Sequence, residues 1–271
     1  MLATCLESVM QASKHLDVEV FVVDNASTDG SRELLEPLFP NVHFKWNIKN
    51  VGFAKANNSV LNQISGDAVL FLNPDTIVPE DCFTKCLVFI QNHADCGALG
   101  VRMVNGNGVY LKESKRGFPS PMTSFWKMIG FYALFPTSSF FAKYYEGHLS
   151  ENETNKVEVL SGAFMMIPLR IIQKVKGFDE DFFMYGEDID LSYRISRLGF
   201  SNYYFAETTI IHFKGESTQK KSSTYTNQFY GAMEIFVKKH YANQLFTKWC
   251  MLTGIQVGKF IATIKRLLFV R

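Results

Sequence analysis

The sequence predicts an α/β fold in which a mostly parallel central sheet is flanked by helices. Short apolar runs of strand length alternate with helical patterns through the first hundred residues, and such alternation favours parallel strands joined by covering helices. Two polar clusters, which contain Asp24 and Asp75, directly follow apolar runs. Because ligands of such sheets bind at the carboxyl ends of the strands, both clusters are candidate site residues.

The first half of the chain supplies the alternating elements. LATCLESVMQASK carries apolar residues at helical spacing, whereas VEVFVV is rich in β-branched residues and AVLFL is a continuous apolar run of strand length. A polar turn follows each predicted strand, so the carboxyl ends of the strands carry the polar side chains. The predicted elements are helix 2–14, strand 18–23, helix 31–39, strand 42–46, helix 54–64 and strand 68–72.

The second half is less regular. Glycine and asparagine turns over 97–116 indicate short strands, and VEVLSGAFMMIP predicts another strand before a helix that starts near Leu169. A further helix is predicted from Asp188 to Leu198, where Gly199 ends it. The last forty residues are predicted to be helical, because they are apolar on one side and carry scattered lysines and arginines.

Composition limits the possible functions. With 271 residues, 47% hydrophobic and 20% charged, the chain can bury a substantial core. The net charge of +2 is too small to indicate nucleic-acid binding, and we expect no nucleic-acid partner. The five cysteines lack zinc-ligand spacing, which favours reduced core thiols in a cytosolic protein. We expect no secretion signal and no membrane-spanning helix, since no apolar stretch reaches about 18 residues.

Asp75 follows a predicted buried strand in the segment VLFLNPDT. Pro74 fixes the turn and leaves the carboxylate projecting into the crevice at the strand end. Mg²⁺ is usually bound by one or two carboxylates together with substrate phosphate oxygens, so this position would suit a metal that bridges a diphosphate. The alternative is a structural Asn-Pro-Asp turn in which Asp75 caps its own loop.

Glu187 and Asp188 lie in YGEDIDLSYR, where a helix is predicted to start. The preceding aromatic residues and glycine turn present adjacent carboxylates beside apolar surface. Such surroundings can raise the pKa of a carboxyl toward that of a general base. The alternative is a structural role as a helix cap, and Asp190 is expected to pair with Arg194 four residues along the helix.

His212 and the lysines that follow it have two interpretations each. His212 ends a strand-like run and is either a packed, hydrogen-bonded side chain or a ligand. Lys214, Lys220 and Lys221 lie among serines and threonines, in a segment that is either a solvated loop or a flap over phosphates. Other phosphate and nucleophile motifs are missing, since the sequence has no GxxxxGK[ST], no GxGxxG after the first strand and no GxSxG.

Seven segments together resemble the inverting family 2 glycosyltransferases, most closely their bacterial rhamnosyltransferase-like members. They occur in the order of that family over roughly residues 1–215, and the order makes the match specific. The resemblance implies a GT-A fold, in which a Rossmann-like nucleotide-sugar domain merges with an acceptor domain. The segments are CLESV, VVDNASTDGS, NVGFAKANN, FLNPDT, SGAFMMIP, FDEDFFMYGEDIDLSYR and IIHFKGES.

The resemblance also assigns roles to matching positions. Asn73 stands where many members have the first Asp of an Asp-x-Asp motif, which leaves Asp75 as the main carboxylate ligand of a Mg²⁺ or Mn²⁺ ion. His212 matches a position near that metal, and Asp188, the second residue of the Glu-Asp pair, matches the catalytic base. The implied nucleotide-sugar residues are Asp24, Asn25, Ser27, Asn50, Gly52, Asn58, Asn73 and Asp75; the acceptor-side residues are Gly162 and Ala163; the catalytic residues are Asp188 and Glu187; and the metal ligands are Asp75 and His212.

The implied reaction is transfer of a sugar, with rhamnose as the leading expectation, from a nucleoside-diphosphate donor to an acceptor hydroxyl. The expected acceptor is a glycan or a polyprenyl-diphosphate-linked sugar of cell-envelope polysaccharide biosynthesis. We expect a GT-A domain over 1–228, with its nucleotide-sugar half near 1–100 and its acceptor half near 101–228. An amphipathic helical extension over 229–271 is expected to place the protein on the inner face of the cell membrane.

Two further features bear on membrane contact and on activity. The segment 117–146 is rich in aromatic residues and is either a hydrophobic platform for a lipid-linked acceptor or a helical insertion packed on the core. Family members usually begin with a strand before the CLESV helix, and that strand helps to hold the base of the nucleotide, whereas this sequence starts at that helix. The alternatives are a truncated chain, a start assigned too late, and a degraded relative. The rival functions are a sugar nucleotidyltransferase and a catalytically impaired, carbohydrate-binding relative.

Overall fold

The computed structural model describes residues 1–213 and 223–269; the lysines considered as a flap, Lys214, Lys220 and Lys221, lie outside the described residues. The helices are α1 (Leu2–Ala12), α2 (Ser31–Leu38), α3 (Phe53–Asn58), α4 (Cys82–Asn92), α5 (Pro121–Met128), α6 (Phe131–Leu134), α7 (Leu169–Val175), α8 (Glu187–Arg197), α9 (Ser223–His240) and α10 (Leu245–Phe269). The strands are β1 (Phe21–Asp24), β2 (His43–Trp46), β3 (Ala68–Leu72), β4 (Thr76–Ile77), β5 (Cys96–Val104), β6 (Lys115–Arg116), β7 (Asn155–Val157), β8 (Val159–Leu160), β9 (Phe164–Pro168) and β10 (Ser201–His212).

The main sheet has six strands and is mixed. Its order is β3-β9-β5-β10-β4, and β7 also pairs with β10. β5 and β10 are parallel, whereas β9 runs antiparallel to both β3 and β5. The parallel pair β1–β2 forms a separate two-stranded sheet, and β6–β8 forms a third. The strand predicted over 68–72 matches β3, and the helix predicted over 54–64 ends earlier, at Asn58.

Helices cover both faces of the main sheet. Successive residues of a strand point to opposite faces, so the strands contribute apolar side chains to both. On one face α1 and α4 pack against a core that includes Leu99 and Met166. On the other face α7 and α8 pack against a core that includes Met165 and Tyr204. A smaller apolar cluster around Leu35 joins α1 and α2 to the β1–β2 sheet. The main sheet is therefore buried on both faces, and the crevice lies at the ends of its strands.

The C-terminal segment consists of two helices that pack on each other. Val237 of α9 is buried with Met251 and Ile255 of α10. The boundary predicted between residues 228 and 229 falls inside α9, which runs without a break from Ser223 to His240. α9 also packs through Ala232 and Phe236 against Phe182, in the segment that precedes α8. Across the described ranges, no helix is both long and apolar enough to cross a membrane.

Gly52 brings the β1–β2 half of the molecule against the segment that precedes α8. Its φ of +87° lies in the left-handed region, and the backbone N–H of Phe53 donates to the Phe183 carbonyl at 2.8 Å. A Cβ at position 52 would lie 2.5 Å from that carbonyl oxygen. The close approach of two backbones therefore requires glycine here.

We expect Gly52→Ala to destabilise the fold more than Gly30→Ala does. Both glycines have positive φ, but a Cβ on Gly30 would meet nothing within 4 Å. Gly30→Ala therefore incurs only the backbone cost of about 1–2 kcal/mol, whereas Gly52→Ala adds an overpacking cost of about 1–3 kcal/mol. Urea unfolding of both variants measures the difference. Equal losses of unfolding free energy would show that the contact with Phe183 is not tightly packed.

Candidate active site

Glu187 and Asp188 occupy the first turn of α8. Tyr185 and Gly186 before them have φ values of +69° and +78°, and this left-handed turn aims the start of the helix into the crevice. Negative side chains are favoured at a helix N-terminus because the peptide dipoles place partial positive charge there. The helix predicted from Asp188 thus begins one residue earlier, at Glu187.

The Asp188 carboxylate is held by three donors. Its Oδ2 accepts hydrogen bonds from Nη2 of Arg116 at 2.5 Å and from the backbone N–H of Gly162 at 3.2 Å. Its Oδ1 accepts from the backbone N–H of Ile189 at 2.8 Å. Arg116 is itself fixed, since Nη2 also donates to the Leu160 carbonyl at 2.9 Å. The side chain of Asp188 remains 15% exposed, so an incoming hydroxyl can reach it.

Adjacent carboxyls in this site have different electrostatic surroundings. Burial, and then the nearby charge of Asp188, raise the pKa of Glu187 well above its ordinary value of 4.5. Burial alone would lower the pKa of Arg116, but the charge of Asp188 outweighs it and the guanidinium pKa is raised. Glu187 is therefore held neutral near physiological pH, while Arg116 stays charged beside Asp188.

Asp75 and His212 face each other at the other end of the site. Nε2 of His212 lies 3.2 Å from Oδ1 of Asp75, and both side chains are largely buried. Among the described residues, Asp75 Oδ1 has no hydrogen-bond partner, so the two atoms are close without being aligned as donor and acceptor. The pairing of His212 with Thr76 across β10 and β4 holds them in register. A cleft of about 190 Å³, lined also by Thr4 and Phe213, opens beside Asp75.

The pair fits a divalent cation bound with substrate. A buried carboxylate oxygen without a partner and an imidazole nitrogen 3.2 Å away are both lone-pair donors that one ion could share. No cluster of three or more His, Cys, Asp or Glu ligands occurs within residues 1–213 and 223–269. Two protein ligands with the remainder from phosphate oxygens and water is the usual arrangement for Mg²⁺ at nucleotide sites.

The residues predicted to bind the nucleotide lie in the turns after β1 and β2. Oδ1 of Asp24 accepts from the backbone N–H of Ser27 at 2.8 Å. The Asn25 amide joins the two turns, since it donates to the Gly52 carbonyl at 3.3 Å and accepts from Asn47 Nδ2 at 3.1 Å. Asn50 Oδ1 in turn accepts from the Gly52 N–H at 2.9 Å. These contacts shape the two turns into one surface.

Other predicted residues tie this surface to the segment around Asp188. Asn58 exchanges two hydrogen bonds with the backbone of Phe178, at 2.8 and 2.9 Å, so its amide holds the segment that leads to α8. The backbone N–H of Asn73 donates to the Ala163 carbonyl at 3.0 Å, and the next residue back, Gly162, donates to Asp188. The adjacent residues Gly162 and Ala163 therefore connect the turn that contains Asp75 to the Asp188 carboxylate through hydrogen bonds.

Sequence reasoning missed Arg116. It lies 72 residues before Asp188, on the two-residue strand β6, and no periodicity or motif marks it. In the sequence Arg116 follows Lys115 and precedes Gly117, and two adjacent basic residues before a glycine are a weak signal. The expected pair of Asp190 and Arg194 is confirmed, with Nε and Oδ2 2.6 Å apart.

Relatives with similar sequences are glycosyltransferases. The chain is 27% identical over 238 residues to the N-acetylglucosaminyl-diphospho-decaprenol L-rhamnosyltransferase of Mycobacterium tuberculosis, covering 81% of this chain and 74% of the relative. It is 24% identical over 253 residues to the low-salt glycan biosynthesis hexosyltransferase Agl10 of Haloferax volcanii, covering 90% of this chain and 76% of that protein.

Solved structures and a family model agree on the fold. Staphylococcus aureus TarS 1–349 in complex with UDP-GlcNAc superposes with a TM-score of 0.58 at 19% identity, covering 87% of this chain and 61% of that one. GalNAc-T7 with UDP, GalNAc and Mn²⁺ gives 0.58 at 14%, covering 86% and 45%. This chain thus spans less than two-thirds of either solved chain. The model described as Glycosyl transferase family 2 matches residues 1–175, so the chain belongs to that family, which confirms the fold class and the glycosyltransferase class predicted from its sequence.

Proposed function

We propose that this glycosyltransferase moves a sugar from a nucleoside-diphosphate donor to a hydroxyl of a lipid-linked glycan, with inversion at the anomeric carbon. The observation that carries the proposal is the Asp188 carboxylate, which is fixed by three donors yet reachable at the crevice. The donor is proposed to bind the turns that contain Asp24 and Gly52. The acceptor is proposed to approach past Gly162 and Ala163.

Asp188 is the proposed base because its carboxylate is fixed by Arg116 and two backbone N–H groups and is partly exposed at the crevice, whereas Glu187 is buried. Asp188 removes the proton from the acceptor hydroxyl while that oxygen attacks the anomeric carbon, and the bond from this carbon to the diphosphate breaks. A general base of this kind contributes about 10²–10⁴-fold to the rate. Arg116 and the Gly162 N–H orient the carboxylate, so a fixed oxygen meets the incoming hydroxyl.

Asp75 and His212 are the proposed holders of a Mg²⁺ or Mn²⁺ ion on the donor diphosphate. Such an ion supplies positive charge that stabilises the departing diphosphate. The protein contribution is to keep an unpaired carboxylate oxygen and an imidazole nitrogen 3.2 Å apart at the strand end.

A lipid-linked acceptor is supported by one relative and by the C-terminal surface. The Mycobacterium tuberculosis relative is named for a diphospho-decaprenol substrate, and rhamnose is the donor sugar in that name. On α10 one outward face carries exposed apolar side chains at helical spacing, and the helix contains no acidic residue. We propose that this face lies on the anionic inner leaflet of the cell membrane. The exposed side chains of this face are Phe246, Trp249, Val257, Phe260 and Ile264.

Asp188→Asn and Asp75→Asn are expected to separate chemistry from donor binding. Asp188→Asn removes the base and should lower transfer about 10²–10⁴-fold, while the thermal shift produced by UDP, dTDP or GDP with Mn²⁺ stays as in the wild type. Asp75→Asn should abolish the Mn²⁺-dependent part of that shift. Transfer is measured with UDP-GlcNAc and dTDP-rhamnose on a polyprenyl-diphosphate-linked GlcNAc acceptor. Near-normal turnover by Asp188→Asn would show that another group is the base.

Glu187→Gln is expected to change how stability depends on pH. The pKa of Glu187 is raised on folding, so its contribution to stability is complete below the ordinary value of 4.5 and is lost as the pH rises through the raised pKa. Glutamine does not ionise. The Tm of the wild type should therefore fall relative to that of Glu187→Gln as the pH rises from 4.5 through neutrality. Parallel Tm curves would mean that Glu187 titrates normally.

Membrane contact is tested by vesicle flotation. We expect the protein to float with vesicles that contain anionic lipid, and Trp249→Ala/Phe260→Ala to lower the membrane partition coefficient about 10²-fold or more, since full burial of each ring stabilises the bound state by about 1.5–3 kcal/mol. Ile48→Ala is the matched control, because Ile48 is 98% exposed but lies outside α10. A wild-type protein that stays at the bottom of the gradient, or equal loss in the control, would contradict the proposal.

A further inference from the structure

The last turn of α9 contacts the helix that carries Asp188. Nε2 of His240 lies 2.7 Å from Oδ1 of Asp190, and Oδ2 of the same carboxylate accepts from Nε of Arg194 at 2.6 Å. Asp190 is fully buried, two residues beyond Asp188 on α8. A carboxylate so deeply buried needs such partners, and His240 is the one that comes from outside its own helix.

The residue beside His240 holds the segment that precedes α8. Nζ of Lys239 lies 2.6 Å from Oδ2 of Asp181 and also pairs with Asp179. The same ammonium lies 6.0 Å from the ring centre of Phe182, which is fully buried. Lys239 therefore binds residues before the turn that leads into Glu187 and Asp188, and His240 binds a residue after it.

The apolar face of α9 closes on this turn as well. Ala232 and Phe236 form a buried cluster with Phe182. A Cβ on Gly186 would lie 3.3 Å from the Cβ of Ala232, so α9 approaches the chain two residues before Asp188. The left-handed backbone at Tyr185 is an unusual conformation for a residue other than glycine, and it persists only where surrounding contacts over-determine it. α9 supplies many of those contacts.

We propose that Lys239 and His240 are positioning residues for the catalytic base, and that α9 acts as a clamp on the turn at 182–188. The proposal rests on the role proposed above for Asp188. The clamp sets the direction in which Asp188 faces the acceptor, and it reaches the donor turn after β2 through the Phe183 carbonyl, which accepts from the Phe53 N–H. Misplacement of a reacting group by about 1 Å can cost on the order of 10²-fold in rate.

The test compares His240→Ala, His240→Gln and Lys239→Met with Val237→Ala. Val237 is buried between α9 and α10, away from the clamp contacts, so its truncation loosens α9 without removing them. We expect His240→Ala and Lys239→Met to lower kcat for transfer about 10–100-fold, with the KM for the donor changed by a smaller factor than kcat. His240→Gln, which can still donate to Asp190, should recover most of kcat. Val237→Ala should lower Tm but keep kcat.

Hydrogen–deuterium exchange supplies a readout that does not depend on turnover. Amides of residues 182–190 should exchange about tenfold faster or more in His240→Ala than in Val237→Ala. Unchanged exchange in this segment, or equal kcat in His240→Ala and Val237→Ala, would overturn the clamp even if the protein is an active transferase. Conversely, absence of transfer by the wild type with every donor tested would overturn the proposed function, while the exchange comparison would still decide the clamp.

Discussion

The turn at 182–188 is the constraint on which the rest of the site depends. Gly52 and Phe53 hold it from the proposed donor side by a backbone contact that no side chain could replace. Arg116 and Gly162 hold the Asp188 carboxylate from the proposed acceptor side. α9 packs on a third side. Each of these contacts crosses a long stretch of sequence, so the proposed catalytic geometry depends on the assembly of both halves of the chain and α9.

Electrostatics then separates two adjacent carboxyls. Both lie in the first turn of α8, but Glu187 is buried without a partner for Oε2 among the described residues, whereas Asp188 has a guanidinium and two backbone N–H groups. Burial beside a charge raises the pKa of Glu187. The Arg116 charge offsets the cost of burying Asp188. Burial therefore favours the neutral form of Glu187, while Asp188 has the guanidinium and N–H contacts that suit a carboxylate, so the two carboxyls can take different roles.

Local patterns in the sequence predicted a good part of this structure. β3 at Ala68–Leu72, the stop of α8 before Gly199 and the pair Asp190–Arg194 all follow from signals within a few residues. Family order placed Asp75, His212 and Asp188, whose contacts are compatible with the predicted roles, although their roles in binding and catalysis stay predictions. The antiparallel pairs of the main sheet could not be predicted, because an apolar strand pattern does not distinguish parallel from antiparallel pairing.

Contacts between distant segments could not be predicted. Arg116 meets Asp188 across 72 residues and His240 meets Asp190 across 50, and neither pair leaves a periodic or motif signal. For the same reason α9 was assigned partly to a membrane extension, although its inner face packs on the turn at 182–188. Its partner α10 does keep an exposed apolar face. The face that packs on the rest of the protein therefore belongs to α9, and the exposed apolar face belongs to α10.

The central claim is that Asp188 deprotonates the acceptor for a single displacement. The most direct test is the anomeric configuration of the transferred sugar, measured by NMR from the one-bond carbon–hydrogen coupling in the product made with whichever donor supports turnover. A single displacement inverts the anomeric centre, so the account predicts a configuration opposite to that of the donor. Retention of the donor configuration would contradict it, because a single displacement from the opposite face cannot retain that configuration.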